Sequence, residues 1–279
     1  MFSSRLPPSF DENALRRALV ARRAAGQPVI DLTATNPTAA GFDYDDGALA
    51  PLASAAGLVY EPEATGMASA REAVSDELAR RGTPVSPDRI VLTASTSEAY
   101  GYLFKLLCDA GDEVLVPQPS YPLFEWLTRL VGVQARPYRL VYHARWTLDA
   151  GGLAAAVTKR TKAILAVSPN NPTGSYLTAR DLAAISAVAA DVPLIGDEVF
   201  WDFPLADAPA DRASVLQSDR RLVFSLGGLS KSAGFPQVKL GWIALGGEPR
   251  LVAAAREKLE LIADPYLAVS TPLQVGADP

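Results

Sequence analysis

Four places in this chain put reactive or charge-bearing side chains directly after an apolar, strand-like run. Arg221-Leu222-Val223-Phe224 leads into Ser225-Leu226-Gly227-Gly228-Leu229-Ser230-Lys231-Ser232, so Lys231 offers an amine where a nucleophile or a proton carrier is wanted. Val192 to Ile195 runs into Gly196-Asp197-Glu198, placing a carboxylate at a strand end. Ala163 to Val167 opens into Ser168-Pro169-Asn170-Asn171-Pro172-Thr173-Gly174, which supplies the amide of Asn171. Ile90-Val91-Leu92-Thr93 precedes Ala94-Ser95-Thr96-Ser97-Glu98, where Ser95 and Glu98 have capping-box spacing. That last arrangement sets Ser95 at a helix N-terminus, whose free N–H groups and dipole suit an anion such as a phosphate. Taken alone it reads first as a plain helix cap, and Asn171-Pro172 alone could be only a turn start.

The elements that would position these groups alternate between strand and helix. Helical spacing covers Leu15 to Ala25, stopped by Gly26, and Ser69 to Arg81, stopped by Gly82; a third helix runs from the Ser95 cap through Cys108. Next come a strand at Glu113-Val114-Leu115-Val116, a helix from Pro122 to about Val131, a strand around Tyr138 to Tyr142 and a helix from Leu153 to Lys159. Thr178 reads as the N-cap of the helix that follows strand Ala163 to Val167. Strand Leu240 to Leu245 and a long helix from Pro249 to about Ile262 close the pattern. Such alternation predicts an α/β fold with a mostly parallel, doubly wound sheet flanked by helices, in which ligands bind beyond the carboxyl ends of the strands.

Composition removes several classes. The 279 residues are 49% hydrophobic and 20% charged, enough to bury the core of one large domain or two small ones. The net charge of -5 comes from 26 basic and 31 acidic residues without long like-charge blocks, so neither nucleic acid nor an anionic membrane surface is an expected partner. No apolar run has the length of a membrane span. The N-terminus lacks the apolar core of a signal peptide, and the lone Cys108 cannot form an internal disulfide, so the expected compartment is the cytoplasm. The lone histidine, His143, rules out multi-histidine metal sites and has no acidic or cysteine partner near it in sequence. We expect no metal.

Lys231 with its flanks, Asn171-Pro172-x-Gly174, the strand-end Asp197 and Pro117-Gln118-Pro119-Ser120-Tyr121-Pro122 together resemble the fold type I pyridoxal-phosphate enzymes, specifically the class I/II aminotransferases. The resemblance runs from about Ile30 to the end of the chain. It implies pyridoxal 5'-phosphate as cofactor and transfer of an amino group from an amino acid to a 2-oxo acid. By the same resemblance Lys231 forms the Schiff base and later moves the substrate α proton. Asp197 pairs with the pyridine nitrogen, Asn171 donates to the ring hydroxyl oxygen, and Tyr121 stacks on the ring face. Ser95, Thr96 and Ser97 hold the phosphate, with Lys239, eight residues after Lys231, where the family usually has an arginine. Tyr60, in Tyr60-Glu61-Pro62, resembles the tyrosine that reaches the phosphate from a neighbouring subunit, which implies a homodimer. Singly, Lys239 and Tyr121 read equally as surface and core residues; their spacing with Lys231 is what joins them.

Departures from the family pattern bear on the substrate more than on the cofactor. Phe200 stands where the family has a tyrosine three residues after the aspartate, Gly228 where it has a serine, and Thr35 where it has the glycine of an early Gly-x-Pro segment. Replacing arginine by Lys239 keeps a point charge and loses the bidentate fork. We expect an N-terminal segment at 1–40, a cofactor-binding large domain at 41–265 and the start of a small domain at 266–279. The family continues beyond this point, and no arginine follows Arg256 here to hold a substrate carboxylate. A fragment that transaminates poorly is therefore the expectation. Two other readings share the residues: a C–S β-lyase on a sulfur amino acid, and a non-catalytic fragment that keeps the fold. A nucleotide-binding P-loop at Lys231-Ser232 fails because Ser230 and Ser225 stand where that motif needs glycine.

Overall fold

The computed structural model describes residues 2–7, 13–31, 35–204 and 210–277. It divides into two compact units, Met1–Ala48 and Leu49–Pro279. In the first, helix α1 (Ala14–Ala24) opens on Asn13, whose side chain accepts the N–H of Arg16, and is followed by Gly26 at a positive φ of 66°.

The second unit is an eight-stranded sheet in the order β1-β8-β7-β6-β5-β2-β3-β4. The strands are β1 (Ile90–Thr93), β2 (Glu113–Gln118), β3 (Gln134–His143), β4 (Arg145–Leu148), β5 (Thr161–Val167), β6 (Leu194–Asp197), β7 (Leu222–Gly228) and β8 (Gly241–Gly247). Pairs β3/β2, β2/β5, β5/β6 and β6/β7 are parallel; β8 is antiparallel to both β7 and β1, so β1 runs with the parallel set. The mostly parallel sheet expected from the alternating pattern is therefore present. Helices α2 (Ala68–Arg80), α3 (Thr96–Leu107), α4 (Leu123–Leu130), α5 (Ala150–Ala156), α6 (Ala179–Val188), α7 (Leu229–Ser232), α8 (Pro249–Ala263) and α9 (Thr271–Val275) accompany it.

Burial follows from two-sided cover. The central strands β5, β6 and β7 are apolar at nearly every position because helices lie on both faces. Alternate residues feed separate cores: Leu165, Ile195, Phe224 and Leu226 pack with Leu103, Phe104 and Leu259 on the α3/α8 face. Ile164, Leu194 and Val223 pack with Leu153, Leu182 and Ile185 on the α5/α6 face. Gly196 is required there, since a Cβ on it would lie 2.5 Å from the Val215 side chain.

Two details differ from the sequence reading. Strand β3 is longer than expected and turns back as β4 through Ala144, a non-glycine residue at φ 60°. Helix α5 starts earlier than Leu153, because Asp149 caps it by accepting the Gly152 N–H at 3.0 Å. Residues 266–277 belong to the second unit. There the buried Gln274 accepts from Met67 N–H at 2.6 Å and donates to Val269 O. Asp278 and Pro279, the last residues of the expected small-domain start, lie outside the described residues.

Candidate active site

Every group singled out on a strand end falls along one edge of the sheet, and the strand order fixes their sequence across it. From β1 outward they are Ser95-Thr96-Ser97 after β1, Lys239 just before β8, Lys231 after β7, Asp197 at the end of β6, Asn171 after β5 and Tyr121 after β2. The registers Val167↔Asp197, Asp197↔Leu226 and Thr93↔Gly241 hold these ends level. Tyr60 lies in a connection before α2, is 72% exposed, and is outside this row.

At the β1 end, Ser95 caps the 12-residue helix α3 by accepting the Glu98 N–H at 3.2 Å, while Glu98 accepts the Ala94 N–H at 2.7 Å. The cap accounts for two donors, and the N–H groups of Thr96 and Ser97 have no protein acceptor among the described residues. An anion is what such a terminus accepts. The backbone beside it is tightly packed: a Cβ on Gly241 would come within 3.0 Å of Thr93 Oγ1 and 3.1 Å of the Ser95 carbonyl carbon. A Cβ on Gly228 would come within 3.0 Å of Leu240 O, so β7 and β8 also pack closely there.

Lys231 is half-buried on the short helix α7. Its ammonium makes no hydrogen bond or ion pair among the described residues and lies 5.4 Å from the centre of the Phe200 ring. Phe200 thus faces the lysine with a ring and no hydroxyl. Asp197 is 7% exposed. Oδ2 accepts the Tyr100 hydroxyl at 2.6 Å and Oδ1 the Val199 N–H at 3.2 Å. Burial raises its pKa above the ordinary carboxylate range, and the two donors oppose that rise. Such a carboxylate gains from a cationic neighbour, which a protonated pyridine would be.

Two neighbouring residues were not singled out by sequence. Asn170 is the buried member of the Asn-Asn pair: Nδ2 donates to Pro119 O at 3.1 Å and to Thr173 Oγ1 at 2.8 Å, and Oδ1 accepts from Ser120 at 2.9 Å. It ties the loop after β5 to the loop that carries Tyr121, leaving Asn171 exposed and free to face a ligand. Tyr121 is 43% exposed, with its ring edge-on to Phe124 at 6.2 Å. Tyr100 is the second, and the alternation of helix α3 could have placed it only on the core face. Lys239 is exposed. Among the described residues no cluster of His, Cys, Asp and Glu could hold a metal, and no helix is long and apolar enough to cross a membrane. The residues on this edge fit a phosphorylated pyridine aldehyde: anion-binding N–H groups at one end, an unpaired amine, and a buried carboxylate further along.

Known proteins give an independent comparison. A solved aminotransferase from Escherichia coli superposes with TM-score 0.84 over 100% of this chain and 70% of its own, at 27% identity. The alanine aminotransferase of Pyrococcus furiosus gives TM-score 0.81 over 95% and 69%, at 29% identity. In sequence the chain is 32% identical over 259 residues to the glutamate-pyruvate aminotransferase AlaA of Escherichia coli, covering 89% of this chain and 62% of that protein. It is 30% identical over 188 residues to human tyrosine aminotransferase, covering 67% and 41%. The chain thus spans roughly two fifths to three fifths of the curated relatives it matches. The family model described as aminotransferase class I and II matches residues 57–277, and the chain belongs to that family.

Proposed function

We propose that this chain is the cofactor-binding part of a pyridoxal-phosphate aminotransferase that moves an amino group from an amino acid to a 2-oxo acid. The observation that carries it is the order along the sheet edge of an unfilled helix N-terminus, an unpaired half-buried lysine and a buried carboxylate. When bound, the cofactor supplies an aldehyde that condenses with amines and a cationic ring that draws electrons from the substrate Cα.

The chain's own residues then have separate tasks. The N–H groups of Thr96 and Ser97 and the Ser95 cap bind the phosphate, and Lys239 adds a point charge beside them. Asp197 holds a proton on the pyridine nitrogen, since a buried carboxylate favours a cation against it. Asn171 donates to the ring oxygen, and Tyr121 covers the ring face. Lys231 Nζ would hold the aldehyde carbon and, once freed, would carry the proton from the substrate Cα to that carbon. Phe200 leaves the ring oxygen without a phenol donor, so Asn171 alone serves it. By family likeness the working form is a cytoplasmic homodimer in which Tyr60 reaches the phosphate of the partner subunit.

A visible spectrum of the protein mixed with pyridoxal phosphate tests the binding, and a panel of amino acids tests the reaction. A bound chromophore with 2-oxo acid as product supports the proposal. Pyruvate with ammonia would instead indicate β-elimination, and no chromophore would refute the cofactor assignment.

A further inference from the structure

Tyr100 is fully enclosed: it is 3% exposed, stacked on Phe104 at 5.9 Å and held edge-on by Phe124 at 5.4 Å. Phe124 in turn touches the ring of Tyr121. The phenol is therefore fixed in one orientation, and its hydroxyl donates to Asp197 Oδ2 at 2.6 Å. It is carried by α3, three residues after Ser97, so about one helical turn separates the anion-binding terminus from the group that holds the carboxylate. One rigid helix thus controls both ends of the same site.

We propose that Tyr100 is a positioning residue for the ring nitrogen: its hydroxyl fixes the rotamer of Asp197 and stabilises that side chain as the anion, so that the proton shared with a bound pyridine rests on the ring. This rests on the cofactor reading above. Burial and the charge of Asp197 push the Tyr100 phenol well above its ordinary range, so it is a permanent donor at any working pH. Facing Asp197, the donors are the Tyr100 hydroxyl from α3 and the Val199 N–H from its own strand end. Glu198, next in sequence, is hydrogen-bonded to Ser214, Val215 and Ser225, which belong to the opposite face of the sheet. Without the phenol, Asp197 keeps a single donor against its burial, and its proton affinity rises.

The test is Tyr100→Phe, which removes one oxygen and keeps the ring packing. In cofactor-free protein labelled with carboxyl-13C aspartate, with the Asp197 signal assigned by its loss in Asp197→Asn, the titration midpoint of Asp197 should move up by about one unit in the variant. With 15N-labelled pyridoxal phosphate at neutral pH, the ring nitrogen should give the protonated signal in the wild type and move toward the unprotonated one in Tyr100→Phe. A core residue with no role at the ring would leave both signals in place, and unchanged midpoints with unchanged nitrogen signals overturn the proposal. If the midpoint moves but the wild type takes up no cofactor, the cofactor reading is refuted instead, and with it the assignment of Tyr100 to a ring nitrogen.

Discussion

Asp197 and Glu198 are adjacent, both buried, both raised above the ordinary carboxylate range by that burial, and yet they belong to different regions of the molecule. The period of a strand sends them to opposite faces. Asp197 points to the α3 side, where it accepts from Tyr100 and Val199 N–H and stands in the row of groups at the sheet edge. Glu198 points to the α6 side and is closed off by the Ser214 hydroxyl at 2.8 Å, the Val215 N–H at 2.8 Å and the Ser225 hydroxyl at 2.7 Å. A carboxylate with three protein donors is a clamp between β6, β7 and the turn at Val215–Gln217. One with two donors at an open edge has capacity left for a ligand. Burial and a raised pKa do not separate the two; the partners do.

The sharpest way to break this contrast is to remove each side chain in turn. Asp197→Ala should cut transamination by roughly 10² to 10³-fold or more, through loss of the ring-nitrogen partner, as measured by steady-state kinetics in an active form of the enzyme. The cost to stability should be smaller than that of the Glu198 change, because two donors lose their acceptor rather than three. Near-normal turnover would show that Asp197 does not serve the ring. Glu198→Ala should do the reverse: three donors lose their acceptor, and denaturant unfolding should report a loss of about 2 to 4 kcal/mol. Bound cofactor per folded molecule should stay as in the wild type, and a loss of cofactor signal without loss of stability would erase the distinction.

A smaller effect appears in the pH dependence of stability. Because burial raises both carboxyls in the folded state, that state holds protons the unfolded chain has already lost. Their contribution therefore weakens as pH rises from the ordinary carboxylate range through the folded values. Glu198→Gln stays neutral throughout, so relative to wild type it should gain stability as pH rises from the ordinary carboxylate range. Unfolding curves at a series of pH values check this, and a difference that stays flat or runs the other way would contradict the assigned sign.

Much of the site was legible because its groups sit where apolar runs stop. Lys231, Asp197 and the Ser95 cap are polar residues at strand ends, which a mostly parallel sheet gathers on one edge; the strand order and the antiparallel β8 were not legible from the alternation. Other groups could not be read this way. Tyr100 and Asp197 are far apart in sequence, and a tyrosine on the apolar face of α3 has the spacing of an ordinary core residue. Glu198 carried a usable signal, since period two from Asp197 assigns it to the other face. In Asn170-Asn171 nothing in the sequence says which amide turns inward; Ser120 and the Pro119 carbonyl decide it. Strand β4 was hidden because its turn uses Ala144 at positive φ in place of glycine or asparagine.

Lys231 carries the central claim, and reduction with borohydride tests it most directly. The protein is mixed with pyridoxal phosphate, reduced, digested and mapped by mass spectrometry. The account predicts cofactor mass fixed on the peptide containing Lys231, and in Lys231→Ala cofactor that is bound without a covalent link. Label on Lys239 or on scattered surface lysines, with Lys231 unmodified, would contradict it.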